Sequence, residues 1–390
     1  MLVAIIGAPN KGKSTLFNAL TMGDAAVASY PFTTIDPNKG VAYCSKECPH
    51  VRLQRQCDPN NSRCENGVRK IPINILDVAG LVEDAHEGKG MGNQFLSDVS
   101  QADCAIIVAD ASGGSDDAGN ACPPGSHDPI NDVLLIESEL DFWYADVLRR
   151  NAQKAKGKKF EDFAHLLTGL KIPIEDLRHA AIDLELDEEK SWEWSKDEFS
   201  EMAQIIRKKT KPIVIAANKI DSDFGQENVD VLKAQFPGYP VFPIAADSEL
   251  ALRKAAQKGI IKYGGKGFEL IDQSVLDVIK NALSKIQESV IDKFGSTGVQ
   301  RLIDYCAFDL LNQMVAYPVE DEVHFSNHFG KVLPDAVLLR KGSKAFDLAS
   351  KIHSDLAKHM LYAVDAEKKM RISKDADLHD GQIVKIVSAR

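Results

Sequence analysis

The chain opens on five consecutive aliphatic residues, Leu2–Ile6 (LVAII). Such a run predicts a strand buried on both faces of a parallel sheet. Runs of the same kind recur at 71–76 (IPINIL), 104–109 (CAIIVA), 212–217 (PIVIAA) and 239–244 (YPVFPI). Between them apolar residues return at helical spacing, after Ser14, over 136–150, over 199–206 and over 270–297. Strands alternating with helices predict an α/β fold with a mostly parallel sheet. The alternation fails between residues 128 and 209, where only helical spacing is visible, so a helical insertion is expected there. Gly/Ser/Pro-rich residues 112–129 read as the linker into it.

The first strand runs into Gly7-Ala8-Pro9-Asn10-Lys11-Gly12-Lys13-Ser14, and Thr15 continues into a helix. This is G-x-x-x-x-G-K-S in the strand–loop–helix setting that a phosphate cradle requires. Gly7 and Gly12 let the backbone wrap an anion, and the amides of residues 10–15 point at the phosphates. Lys13 brings a point charge to the β- and γ-phosphates, and the Ser14 hydroxyl is a magnesium ligand. The strand at 71–76 ends in Asp77-Val78-Ala79-Gly80, a D-x-x-G. Asp77 is placed to hold magnesium through water, and the Gly80 amide to meet the γ-phosphate. The strand at 212–217 ends in Asn218-Lys219-Ile220-Asp221, an N-K-x-D. A carboxylate at Asp221 accepts from N1–H and the 2-amino group of guanine, neither of which adenine offers. Three motifs in this order imply a guanine-nucleotide switch.

Composition narrows the partners. The 390 residues are 44% hydrophobic and 27% charged, the balance of a soluble globular protein, and no apolar run reaches bilayer length. A cytoplasmic protein without membrane or DNA partners is expected. Net charge is −10, unlike a binder that captures nucleic acid by bulk attraction. Residues 331–390 nevertheless carry 12 Lys and Arg against 8 Asp and Glu, leaving 35 against 49 elsewhere. A basic C-terminal unit on an acidic body suits local contact with RNA, and a solvated charge pattern fits equally well.

The motifs and their flanks resemble the Obg-like GTPases. The stretch Tyr30-Pro31-Phe32-Thr33-Thr34-Ile35-Asp36-Pro37 is similar to their switch I, and 77–96 to their long switch II. The stretches 333–343, Ile352-His353 and 378–387 resemble a TGS domain, a ubiquitin-like β-grasp module. The order of elements matches the YchF-related branch. The resemblance implies a P-loop GTPase domain over 1–127 and 210–265, an inserted helical domain over 128–209, connecting helices over 266–309 and a TGS domain over 310–390. It also implies Phe32, Thr33 and Thr34 near the nucleotide, with Thr34 as the switch I magnesium ligand. YchF proteins proper carry N-x-x-E and prefer ATP. This chain keeps Asn218, Lys219 and Asp221, the pattern of a sister branch with guanine recognition. The last base loop reads Ala245-Ala246-Asp247, with the Ala246 amide expected at the base oxygen.

Catalysis is expected to be slow. Leu81 stands where other switches carry a water-orienting Gln. Two residues could compensate. Asn10 either helps bind a potassium ion between the phosphates or only braces the loop; His86 could reach the γ-phosphate in a closed state. Lys13, Thr34 and Gly80 complete the candidate catalytic set.

Seven cysteines, an odd number, argue against a disulfide framework. Cys44, Cys48, Cys57 and Cys64, with His50, fall in one short stretch between the switches. They are either a zinc site of unusual spacing or reduced cysteines in a surface excursion. The leading expectation is a slow, magnesium-dependent GTPase that docks on the ribosome or another RNA assembly. The alternative is a nucleotide-sensing adaptor whose TGS and helical modules bind a protein or a small ligand, with some ATP hydrolysis.

Overall fold

The computed structural model describes residues 1–22, 39–78, 80–81 and 98–389. It divides into two compact units, 1–41 with 74–302, and 42–73 with 303–390.

The first unit is built on parallel strands. β1 (Leu2–Ile6) lies between the end of β4 (Val68–Asp77) and β5 (Cys104–Asp110), followed by β6 (Ile213–Asn218) and β7 (Val241–Ile244). Every neighbouring pair in this series is parallel. All seven residues of β5 and all six of β6 are buried, which is why both sequences are continuous apolar runs without alternation. The ends of β1, β4, β5 and β6 therefore carry the loops that follow Ile6, Asp77, Asp110 and Asn218 along one edge, where ligands of open α/β sheets bind.

A run of helices separates β5 from β6. α3 (Pro129–Lys154) begins with Asp128 as N-cap, its carboxylate accepting from the Ile130 amide at 2.9 Å. α4 (Phe160–Leu166), α5 (Ile174–Asp183) and α6 (Lys196–Thr210) follow; α6 opens on a Ser195/Glu198 capping box. Trp143, Tyr144, Phe160, Phe163, Trp194 and Phe199 fill their shared core. Arg207 of α6, 1% exposed, is bound by Glu137 at 3.0 Å and Asp141 at 2.5 Å of α3, so this large cation is paired rather than orphaned. The chain re-enters the sheet at β6. α7 (Gly225–Gln235) and α8 (Ala246–Gln257) flank β7, and β8 (Ile261–Tyr263) pairs antiparallel with β9 (Phe268–Leu270). The long helix expected over 270–297 is α9 (Asp277–Ile286), prolonged through a π turn at Gln287–Ile291 to Phe294.

The second unit is a five-stranded sheet of order β11 (Val337–Arg340), β10 (Gln313–Val319), β14 (Gln382–Ser388), β12 (Met360–Asp365) and β13 (Met370–Ile372). The central β10–β14 pair is parallel and its flanking pairs antiparallel, the β-grasp arrangement. A helix, α10 (Ala345–Ile352), buries Ala345, Leu348 and Ala349 against it.

Residues 42–73 also belong to this second unit, not to the nucleotide-binding one that the sequence order suggested. They contain most of β2 (Lys39–Glu47), a single turn α2 (His50–Leu53), β3 (Arg63–Glu65) and the start of β4. The reason is hydrogen bonding. The Asp58 and Asn60 amides donate to the Val332 and Pro334 carbonyls at 2.9 and 2.6 Å. Asn61 bonds both the amide and the carbonyl of Ala336, at 2.9 and 3.1 Å. The Arg52 guanidinium forks onto Glu367 at 2.9 and 2.7 Å.

Candidate nucleotide site

The loop between β1 and α1 (Lys13–Thr21) is held in shape from three sides. Gly12 has φ 96°, and a Cβ there would lie 2.2 Å from the Asn218 Nδ2, so only glycine fits. Asn218 is the bolt. Its Nδ2 donates to the Lys11 carbonyl at 3.0 Å, and its Oδ1 accepts from the Ala246 amide at 3.1 Å. One side chain thus ties the phosphate loop, the end of β6 and the start of α8 together. The Lys219 ammonium bonds the Asn10 carbonyl at 3.3 Å and the buried Asp110 at 2.7 Å. Burial alone would raise the Asp110 carboxyl, but Lys219, Ser112 and Ser115 hold it below the ordinary carboxylate range. Asp221 follows and is exposed.

Ser14 Oγ donates to Asp77 Oδ2 at 3.0 Å. Asp77 Oδ1 is buried without a hydrogen-bond partner, and burial raises its carboxyl. A hydroxyl beside a carboxylate with an oxygen to spare is the donor set for a hard cation, so the residues fit magnesium. The Lys13 ammonium turns back onto the Ala8 carbonyl at 2.7 Å, and burial pulls it down to about 8. The Gly80 Cα packs on Pro9, where a Cβ would meet ring and backbone atoms at 3.0–3.1 Å. The Leu81 amide donates to the Gly7 carbonyl at 3.1 Å.

Comparison with known proteins matches this geometry. Residues 2–132 fit the family model described as 50S ribosome-binding GTPase, 216–321 that of the Obg-like GTPase YGR210-like, G4 motif-containing domain, and 330–388 the TGS domain. A GTP-binding protein of Methanocaldococcus jannaschii is 45% identical over 395 residues, covering 100% of this chain and 99% of its own. A GTP-binding protein of Schizosaccharomyces pombe is 31% identical over 88% of each chain. The crystal structure of a GTP-binding protein from Pyrococcus horikoshii superposes with a TM-score of 0.76 at 36% identity over both full chains. The chain belongs to the Obg-like GTPase family, in its YchF-related, TGS-containing branch.

Three local features of this Obg-like GTPase were not visible in the sequence. The Lys11 side chain does not line the phosphate cradle. It is fully buried, paired with Asp132 of α3 at 2.7 Å and bonded to the Ser115 and Asp116 carbonyls at 2.8 and 3.0 Å. The Ala246 amide is already engaged by Asn218. The first helical amide bond of α8 is Glu249 to Ala245, which leaves the Asp247 and Ser248 amides without an intrahelical carbonyl. The linker stretch 112–129 is bonded to the phosphate loop. Asn10 Nδ2 donates to the Gly119 carbonyl at 2.8 Å, and a Cβ on Gly119 would strike Pro9 at 2.8 Å. Asn10 therefore braces the loop through its Nδ2, with its Oδ1 outside that bond.

Leu81 is 1% exposed and part of the apolar core, so it supplies no polar atom to water. Phe32, Thr33, Thr34 and His86 lie outside the described residues. Sequence reading missed Asp132, Asp110 and Gly119. A lysine inside a phosphate loop that is not the motif lysine was the available signal, because a buried ammonium must find a carboxylate. Among the described residues no helix is long and apolar enough to cross a membrane.

Proposed function

We propose that the protein is a magnesium-dependent GTP hydrolase of low intrinsic rate that works as a switch docking on the ribosome or another RNA assembly. The observation that carries the nucleotide half is the Asn218 bridge between the Lys11 carbonyl and the Ala246 amide, because it sets Asp221 at a fixed reach from the phosphate loop. In this reading the amides of residues 10–15 bind the phosphates, and the Asp247 or Ser248 amide meets the base oxygen. Lys13 leaves the Ala8 carbonyl for the phosphates. Ser14 and Asp77 hold the magnesium ion, which offsets charge on the phosphate oxygens when bound. Leu81 leaves the attacking water without a side-chain partner, hence the low rate.

The docking half is supported by Lys368, Lys369, Arg371 and Lys374, all exposed around the β12–β13 hairpin. The Arg371 guanidinium carbon sits over the Tyr362 ring, 3.8 Å from its centroid, and Lys368 stands 3.8 Å from Asp365. The 50S ribosome-binding name of the matching family model points the same way. Cosedimentation with ribosomes in the presence of a non-hydrolysable GTP analogue or GDP tests it. Neutralising the four cations is expected to weaken association and flatten the salt dependence by roughly 0.7–0.9 of slope per lost phosphate contact. Cosedimentation unchanged at every salt concentration would put the adaptor reading first.

A further inference from the structure

Within the second unit, four soft donors from separate points of residues 42–73 meet. The Sγ atoms of Cys48, Cys57 and Cys64 and a ring nitrogen of His50 all lie within 4.8 Å of one another. His50 Nδ1 stands 3.2 Å from Cys57 Sγ and 3.4 Å from Cys64 Sγ. A tetrahedral zinc with ordinary Zn–S and Zn–N bonds has edges of about 3.6–3.8 Å, so the four atoms are close to the corners they would need.

The local sequence brings them there. Cys48-Pro49-His50 enters α2, where the Val51 amide returns to the Cys48 carbonyl at 3.1 Å. Gln54, at φ 51°, ends that turn and sends the chain on towards Cys57. Asn66 and Gly67, at φ 50° and 82°, make the two-residue turn of the β3–β4 hairpin that carries Cys64. The Cys48 amide is held by the Gly67 carbonyl at 2.8 Å, which joins the two knuckles. Cys44 is not part of the group: its Sγ faces the Ile71 carbonyl at 3.5 Å, and burial pushes its thiol up to about 12.

A second observation points to charge at this place. Arg69 is the cross-strand partner of Cys64, and it is 0% exposed. Its Nη2 donates to the Leu333 carbonyl, while Nε and Nη1 have no hydrogen-bond partner. Among the described residues no carboxylate is in ion-pair contact with it; its charge is felt by Asp335, and the Tyr317 ring centroid lies 5.4 Å from the guanidinium carbon, which leaves the two nitrogens without acceptors. A buried guanidinium with two idle nitrogens costs several kcal/mol unless negative charge is near. Three neutral thiols supply none.

We propose that Cys48, His50, Cys57 and Cys64 bind a structural zinc ion, whose three thiolates give the site a net charge of −1 that Arg69 offsets. The metal replaces the three thiol protons, which leave to solvent, and takes a neutral imidazole; no electron is transferred. With four protein donors the site is closed, as structural sites are. Cys57 and Cys64 bracket the loop whose Asp58, Asn60 and Asn61 hold residues 332–336, so the ion fixes that loop onto the β-grasp domain.

The test is elemental analysis of the full-length protein after gel filtration, with cobalt substitution of metal-stripped protein. Stoichiometric zinc and the visible absorption of a tetrahedral cobalt thiolate are expected. Cys64→Ser and His50→Ala should lose the zinc, and Cys44→Ser should keep it. Zinc-free protein that gives only octahedral cobalt absorption overturns the site. So does full retention of zinc in Cys64→Ser. Should Cys64→Ser fail to fold, the wild-type cobalt spectrum decides alone.

Discussion

The pairing of Lys11 with Asp132 makes the most demanding prediction, because both side chains are 0% exposed. Asp132→Asn keeps the volume and opens no cavity, so the electrostatic effect is isolated. Asp132 Oδ1 accepts from Lys11 at 2.7 Å and lies 2.9 Å from His127 Nε2; Oδ2 accepts from the Asp110 amide at 2.8 Å. An asparagine has one acceptor oxygen for these two sides. Whichever way its amide turns, an NH2 faces either the ammonium or a backbone N–H. Breaking a buried pair from one side costs about 3–5 kcal/mol. That is roughly 1–2 M of urea midpoint at slopes typical of a domain of this size.

The double variant Lys11→Met/Asp132→Asn removes the conflict. The amide can then accept from Asp110 and donate to His127, and only the Ser115 and Asp116 carbonyls lose a donor, at about 1 kcal/mol each. The double variant is therefore expected to be more stable than Asp132→Asn alone, against simple addition. Urea unfolding followed by tryptophan fluorescence suits the measurement, since Trp143, Trp192 and Trp194 all fall in the first unit. A single variant within 1 kcal/mol of wild type, or a double variant equal to the sum of the two singles, refutes the reasoning; the ~1 kcal/mol margin is the ordinary scale of a surface change.

Three further outcomes follow from the site. Asp221→Asn should lower GTP affinity about ten- to a hundredfold and shift preference to xanthine nucleotides; equal wild-type affinity for ATP and GTP in equilibrium titration would sink this assignment. The Lys13 ammonium titrates near 8 in the free protein against its ordinary 10.5, and phosphate holds it charged. Below pH 8 it is charged before binding; above pH 8 binding must take up a proton, so GTP affinity should fall as pH rises through about 8, and either a pH-independent wild-type affinity or a fall with pH that persists in Lys13→Met would be the contrary result. Turnover should be faster in potassium than in sodium if Asn10 Oδ1 joins a cation site, and equal rates in the two salts leave Asn10 with its bond to Gly119 alone.

What the sequence made legible was local. The phosphate loop, the D-x-x-G and the N-K-x-D each sit at a strand end within a few residues, so spacing and residue type were enough. The helical region carries its signals within itself, in apolar residues at helical spacing and in the caps Asp128 and Ser195. The rest depended on partners distant in the chain. Nothing near Ser45 announces that its amide bonds Asp304, 259 residues away, and so residues 42–73 read as part of the first unit. The occupied Ala246 amide follows from the direction in which Asn218 points, which spacing does not encode. The cysteines lack a C-x-x-C, and their convergence rests on a one-turn helix and an Asn-Gly hairpin acting together.

The insertion point of the helical region has a physical logic of its own. β5 ends at Asp110, and the residues that follow wrap the phosphate loop before α3 begins. Lys219 and Lys11, both anchored at that loop, take their carboxylates from the two ends of this wrap, Asp110 and Asp132. The Asp132 carboxylate in turn holds the Asp110 amide. The first turn of α3 is thus part of the phosphate loop's support, and an insertion entering one residue earlier or later would move Asp132 by about 100° around the helix and leave a buried ammonium without its anion. The helical region can vary in length beyond that turn, but its start is fixed by the charge it must neutralise.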